Sequence, residues 1–178
     1  MALRKASAYS KKKVRPYTRK SKSKSKSYIK TVPQHKIVKF KMGAVKDFEK
    51  GKFHHMIKLV TGEDVVIRDN ALESSRQHIQ KILNKEIPGN YYFEVKVYPH
   101  HILRENKMLT GAGADRMQSG MQKSFGSTVG RAAIVKKNQT IFLVAFFREN
   151  QRKSVISALS KIKAKIPCRT RLVYEKLK

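Results

Sequence analysis

The amino-acid sequence predicts an α+β fold. It reads as a single domain of mixed, largely antiparallel sheet with two long helices, one short helix and a basic N-terminal arm. Three observations carry that reading. Strand-like and helix-like segments interleave irregularly, which argues against a doubly wound parallel sheet. Residues 91–98 alternate strictly, with Tyr91, Phe93, Val95 and Val97 set against Tyr92, Glu94, Lys96 and Tyr98. That is the two-residue period of a strand. Two other stretches space their apolar side chains three and four apart, the period of an amphipathic helix.

The elements follow in chain order. Residues 36–42 place Ile37, Val38, Phe40 and Met42 between Lys36, Lys39 and Lys41, a half-buried strand with one cationic face. Residues 53–60 make a second strand, with Ile57 and Leu59 inward. Residues 64–68 make a short third one after Thr61-Gly62. A helix starts at Asp69 or Asn70, where Asn70 and Glu73 have the spacing of a capping box. Leu72, Ile79, Ile82 and Leu83 form its apolar stripe, and Pro88-Gly89 ends it. After the strand at 91–98 comes a short apolar stretch, Ile102-Leu103, then a long polar loop over 104–113 and a short helix over 115–124. Residues 132–136 and 140–147 flank Asn138-Gln139, which signals a hairpin. The second long helix spans 150–166, with Val155, Ile156, Leu159 and Ile162 on one face and Pro167 as its stop. Thr170, Leu172 and Tyr174 alternate in a last strand.

Charge narrows the function classes. The 178 residues hold 41 Lys and Arg against 12 Asp and Glu, a net charge of +29. A compact body so charged repels itself, so a polyanion is expected to neutralise it. Sixteen of the cations lie in residues 1–46, which contain no acid. The strict repeat Ser21-Lys22-Ser23-Lys24-Ser25-Lys26-Ser27 has nothing apolar to bury. Residues 1–34 therefore read as an arm that orders against phosphates, and residues 35–178 as the body. Tyr9, Tyr17 and Tyr28 are interleaved with the arm's cations. They suit stacking on bases, or equally pinning the arm to the body.

Other chemistries are poorly supported. Gly111-Ala112-Gly113-Ala114-Asp115-Arg116 lacks the third glycine of a dinucleotide fingerprint and the Gly-Lys-Ser/Thr of a P-loop. What its glycines offer is a backbone that can approach another molecule closely. His54-His55 and His100-His101 are adjacent pairs, so on a strand their side chains diverge and neither pair chelates one ion easily. Cys168 is the single cysteine, which fits a reducing compartment. Arg169 and Arg171 could lower its pKa, but with no partner constellation it reads as a structural thiol. No acid pair is set for general acid–base work. The longest apolar run, at 140–147, is far short of the ~20 residues that span a bilayer. The basic start lacks the apolar segment of a secretory signal. Met117 and Met121 read as one helix's packing face, and Lys153, Lys161, Lys163 and Lys165 as the solvated face of the last helix.

The most specific signal is Tyr98-Pro99-His100-His101-Ile102-Leu103-Arg104-Glu105-Asn106-Lys107, followed by Thr110 to Arg116, Gly120-Met121 and Ser124-Phe125-Gly126. This resembles the hallmark segment of a large-subunit ribosomal protein family, called L-ten-e in archaea and eukaryotes, with bacterial L-sixteen as its counterpart. Arg15-Pro16-Tyr17-Thr18-Arg19, Ile67-Arg68-Asp69-Asn70-Ala71-Leu72-Glu73 and Ile166-Pro167-Cys168 resemble further parts of it, so the likeness runs over nearly the whole chain, with the archaeal form most similar. Gln122 stands where the family pattern has a basic residue, and Ser127-Thr128 where it has Lys-Pro. The Ser/Lys repeat resembles an insertion into the arm.

The resemblance implies a hammerhead-type α+β body bound to large-subunit rRNA near the aminoacyl-tRNA site. The loop at 104–116 would point toward the peptidyl-transferase region, and the body would lie near the tRNA elbow and acceptor arm. Neighbouring ribosomal proteins would be partners, with no homo-oligomer, membrane or cofactor. The role would be structural and not enzymatic. The expected RNA contacts in the arm are Arg4, Lys11, Lys12, Lys13, Arg15, Tyr17, Arg19, Lys20, Lys22, Lys24, Lys26 and Tyr28. Those around the loop are His100, Arg104, Asn106, Lys107, Gly111, Gly113, Arg116, Lys123 and Arg131. A protein that compacts DNA through the arm alone is the rival reading; it would need no particular loop sequence.

Overall fold

The computed structural model describes residues 5–10, 29, 31–105, 112 and 126–177. The chain is α+β, and every strand pairing among the described residues is antiparallel. The strands are β1 (Lys41–Gly43), β2 (His55–Thr61), β3 (Val65–Arg68), β4 (Tyr91–Val95), β5 (His101–Glu105), β6 (Ser127–Val135), β7 (Thr140–Phe146) and β8 (Thr170–Lys176). The helices are α1 (Ser7–Ser10), α2 (Val45–Glu49), α3 (Asp69–Glu86) and α4 (Arg152–Lys161). Five strands form one sheet in the order β1-β4-β7-β2-β8, and three form a second in the order β3-β6-β5.

The expected hairpin at Asn138-Gln139 is overturned. A tight turn is present: Asn138 takes φ 66°, and the Gln139 N–H donates to the Lys136 carbonyl at 3.1 Å. Its two arms do not pair, because β6 lies in the small sheet and β7 in the large one. The chain turns a corner there. It turns a second corner between β2 and β3, and the two corners interlock. The Asn138 N–H donates to the Thr61 carbonyl at 3.0 Å, and the Lys137 N–H donates to the Asp64 carboxylate at 2.7 Å. Local turn chemistry was legible in the sequence; the partner strands were not.

The main core lies where α3 and α4 cover both sheets. Leu72, Ile79, Leu83, Val155, Leu159 and Ile162 meet Ile57, Leu59, Tyr91, Phe93, Val95, Phe142, Val144 and Phe146 of the large sheet and Ile67, Ala133 and Val135 of the small one. The expected stripe members Ile82 and Ile156 are only half-buried. A register shift between Leu59 and Val60 leaves Ile141 as the extra residue on β7. That bulge lets Ile141 and its neighbour Phe142 both enter the main core. On the opposite face of the large sheet, Phe53, Met56, Tyr92, Leu143 and Ala145 form a second cluster under Val45 and Phe48 of α2. The Phe48 ring stacks on Tyr92 at 3.9 Å. The alternation of residues 91–98 therefore buries both faces at its start, not one.

Three further expectations need correction. Of residues 36–42 only the last two join a strand; Ile37 and Met42 are buried, but Val38 is 72% exposed. The backbone of residues 36–38 is held by α3, and β4 takes over at Phe40, whose carbonyl accepts from the Val95 N–H at 2.8 Å. The Lys36 N–H donates to the Asp69 carboxylate at 3.1 Å and the Val38 N–H to the Glu73 carboxylate at 3.3 Å. Glu73 is thus turned away from the capping box, and α3 starts after Arg68 with no side-chain cap. Asp69 instead accepts from the Asn70 N–H at 2.8 Å. The second long helix is α-helical only over Arg152–Lys161, with 3₁₀ turns at Glu149–Gln151 and Ile162–Lys165. The expected short helix at 115–124 lies outside the described residues.

Candidate nucleic-acid interface

Of the expected RNA contacts, the structure describes His100, Arg104 and Arg131. The expected contacts in the arm (Arg4, Lys11, Lys12, Lys13, Arg15, Tyr17, Arg19, Lys20, Lys22, Lys24, Lys26 and Tyr28), and Asn106, Lys107, Gly111, Gly113, Arg116 and Lys123, lie outside the described residues. What the structure does show is how the body holds the bases of the arm and the loop.

Both are held by the small sheet. β5 ends at Glu105 and β6 begins at Ser127, and the Ser127 hydroxyl donates to the Glu105 carbonyl at 3.3 Å. The two ends of the long loop are therefore clasped together. Tyr9, on α1, packs on the outer face of the same sheet, against Val66, Leu103 and Ala132. Its hydroxyl is 3.5 Å from a Glu105 carboxylate oxygen, and the Arg68 guanidinium lies 5.7 Å from its ring centre. So one tyrosine of the arm pins the chain to its own body. The start of the arm and the root of the loop sit side by side on one sheet, with Arg104 on the strand between them.

A second junction lies where the arm meets the body. The Arg131 Nε donates to the Pro33 carbonyl at 2.7 Å, and one of its terminal nitrogens donates to the Tyr98 hydroxyl at 3.2 Å. Arg131 thus braces residues 31–40 as well as adding charge. The Tyr98 ring stacks on Phe40 at 5.6 Å and meets His35 edge-on at 5.3 Å, and His35 meets Phe40 edge-on at 5.7 Å. His100 is exposed, and its N–H donates to the Tyr98 carbonyl at 2.9 Å. Sequence reasoning missed Tyr98 as a functional candidate, although its place on the polar side of the alternating strand was the signal.

The histidine pairs diverge as their spacing requires. His101 is buried while His100 faces solvent; burial, and then the charges of His100 and Arg104, push the His101 imidazole down to about 4. It is neutral at physiological pH. The buried His55 sits 2.7 Å from the Tyr174 hydroxyl. No group of three His, Cys, Asp or Glu suited to a metal ion occurs among the described residues. Burial, followed by the charge of Glu63, pushes the Cys168 thiol up to about 11, which overturns the expectation that nearby arginines lower it.

The helix pair adds a separate cationic face. Lys153, Lys161, Lys163 and Lys165 are exposed on and after α4, and Lys81 is exposed on α3. Burial, then the charges of Lys165, Lys161 and Lys81, lowers the His78 pKa. The Lys165 ammonium donates to the Ser74 hydroxyl at 3.1 Å, tying the 3₁₀ turn after α4 to α3. Among the described residues, no helix is long and apolar enough to cross a membrane.

This architecture defines a class: a strongly basic α+β body with a basic arm and a basic loop rooted together, built to lie against a polyanion. Residues 12–173 match the family described as ribosomal protein L16p/L10e, and the chain belongs to that family. Family members are structural components of the ribosome, not enzymes. Similar proteins include the large ribosomal subunit protein uL16 of Pyrobaculum islandicum, 43% identical over 176 residues that cover 98% of this chain and 93% of the relative. The uL16 of Thermofilum pendens is 44% identical over 161 residues, 90% of this chain and 89% of its own length. That of Methanococcus maripaludis is 42% identical over 177 residues, 99% and 96% of the two chains.

Proposed function

We propose that this protein is a structural constituent of the large ribosomal subunit in the cytoplasmic ribosome. In this reading it binds large-subunit rRNA near the aminoacyl-tRNA site and the peptidyl-transferase region and helps position tRNA. The observation that carries the reading is the shared root of arm and loop on the small sheet, in a chain of the ribosomal protein L16p/L10e family. Residues 1–34 would thread into rRNA through lysine and arginine contacts with phosphates, with Tyr17 and Tyr28 packing on bases. The loop after β5 would carry Asn106, Lys107, Gly111, Gly113, Arg116 and Lys123 toward rRNA or the tRNA acceptor end. Neighbouring ribosomal proteins complete the partners. Peptide-bond chemistry stays with the RNA.

Sedimentation of a lysate through sucrose, with washes of rising salt, tests the assignment. Retention on the large subunit through a moderate-salt wash is the expected result. Release at low salt, with the chain spread over DNA or free fractions, would favour the arm-only DNA binder. The loop's role has its own test. Replacing Lys107, Arg116 and Lys123 together with Ala should leave the body folded and slow tRNA accommodation; normal accommodation would remove that role.

A further inference from the structure

Two large apolar side chains stand out as exposed among the described residues, Val38 at 72% and Tyr98 at 49%. Tyr98 is held in place on several sides. Phe40 stacks beneath it, His35 meets its edge, Arg131 donates to its hydroxyl, and the His100 N–H holds its carbonyl. An exposed ring fixed in this way loses little conformational freedom when a flat partner lands on it. The chain around it is cationic: Lys36, Lys39 and Lys41 are exposed. The nearby carboxylates are already committed. Asp69 and Glu73 accept from the backbone of residues 36 and 38, and Glu94 accepts from the Tyr92 hydroxyl at 2.9 Å and pairs with Lys96 at 2.7 Å.

We propose that the exposed face of Tyr98 is a stacking platform for an unpaired base of RNA, with Arg131 as the residue that positions the ring. The inference rests on the RNA-binding reading above and names what this patch takes. An aromatic ring in a cationic field fits a base with its phosphates, because the base supplies a π-face and the backbone supplies the negative charge. A duplex fits poorly, since its π-faces are hidden within the stack. A protein partner would have to bring acid as well as an apolar contact, and is the alternative the experiment must separate.

The chain contains no tryptophan, so Tyr98→Trp places a single indole reporter at the site. Full-length protein would be titrated with a short single-stranded oligoadenylate and with an RNA duplex of equal length. Stacking should quench the indole with the single strand and leave it bright with the duplex. In parallel, Tyr98→Leu should weaken single-strand affinity roughly 5- to 150-fold, Tyr98→Phe should stay within about threefold of wild type, and duplex affinity should hold in all variants. The Leu and Phe variants keep the test open if the larger indole disturbs the fold. An unquenched indole, with the Leu variant also within about threefold of wild type, would overturn the platform while RNA binding stood. Failure of the wild-type chain to bind any RNA would instead overturn the reading beneath it. Large subunits carrying Tyr98→Trp give a third arm: a blue-shifted but unquenched indole in the particle would assign the patch to a protein neighbour and overturn the proposal.

Discussion

The Thr61 hydroxyl donates to the Lys136 carbonyl at 2.7 Å, joining the two corners where the chain passes between the sheets. Thr61 is fully buried, and its backbone N–H donates to the Gln139 carbonyl at 3.1 Å. Thr61→Val keeps the shape and removes the donor. It should cost about 0.5–1.5 kcal/mol, the net worth of one hydrogen bond, because the Lys136 carbonyl keeps the Gln139 N–H. Thr61→Ser keeps the donor and should lose less. Urea unfolding of the three proteins checks the order; a valine variant as stable as wild type would show the hydroxyl to be idle.

Arg76 and Glu73 form a two-pronged ion pair at 2.6 and 2.8 Å, both side chains nearly buried. The Glu73 carboxylate also accepts from Gln77 and from the Val38 N–H. Arg76, more than the other donors, holds the Glu73 pKa below its usual 4.5. A carboxylate pKa lowered on folding gives stability that is present above the unfolded value and lost as pH falls through the folded one. Arg76→Met should cost roughly 3–5 kcal/mol near neutral pH, since it strands a buried charge. The gap to wild type should narrow as the pH falls below 4.5. Amide exchange at Val38 should speed up in the variant, and an unchanged rate there would mean that Glu73 does not hold residues 36–38.

His101 shifts the stability in the same direction, through burial rather than an ion pair. Its folded pKa, about 4, lies below the ordinary 6.5, so the unfolded chain takes up the proton first. Stability should therefore fall as pH drops from about 6.5 toward about 4, by roughly 2–3 kcal/mol from this group, with no contribution above that window. His101→Gln removes the titration. Comparing unfolding midpoints at neutral pH and near the acid end of the window should show a smaller acid loss in the variant, and equal losses would locate the acid sensitivity elsewhere.

Cys168 is half-buried and its thiol is pushed up to about 11 from 9.0. Below both values the folded protein holds about a hundredfold less thiolate than the unfolded chain. Alkylation by iodoacetamide at mildly alkaline pH should be slower in buffer than in urea by about that factor. Comparable rates in the two solvents would place the thiol in water.

The alternation of Tyr91, Phe93, Val95 and Val97, the apolar spacing of Leu72, Ile79 and Leu83, and the stop at Pro88-Gly89 were all legible in the sequence, because period and turn chemistry are local properties. The concentration of cations before Asp47 was equally plain, and with the hallmark around Tyr98 to Arg116 it pointed to RNA. Tertiary structure decided the rest. Asn138 marks its turn, yet only the pairing of β3 with β6 and of β2 with β7 sends the two arms into different sheets. Glu73 has capping-box spacing, yet Arg76 and the Val38 N–H claim it. Tyr9 could have stacked on RNA, and the apolar outer face of the small sheet takes it instead. In each case the choice was made between partners distant in sequence, and a residue's own neighbours carry no record of which partner packing will bring to it.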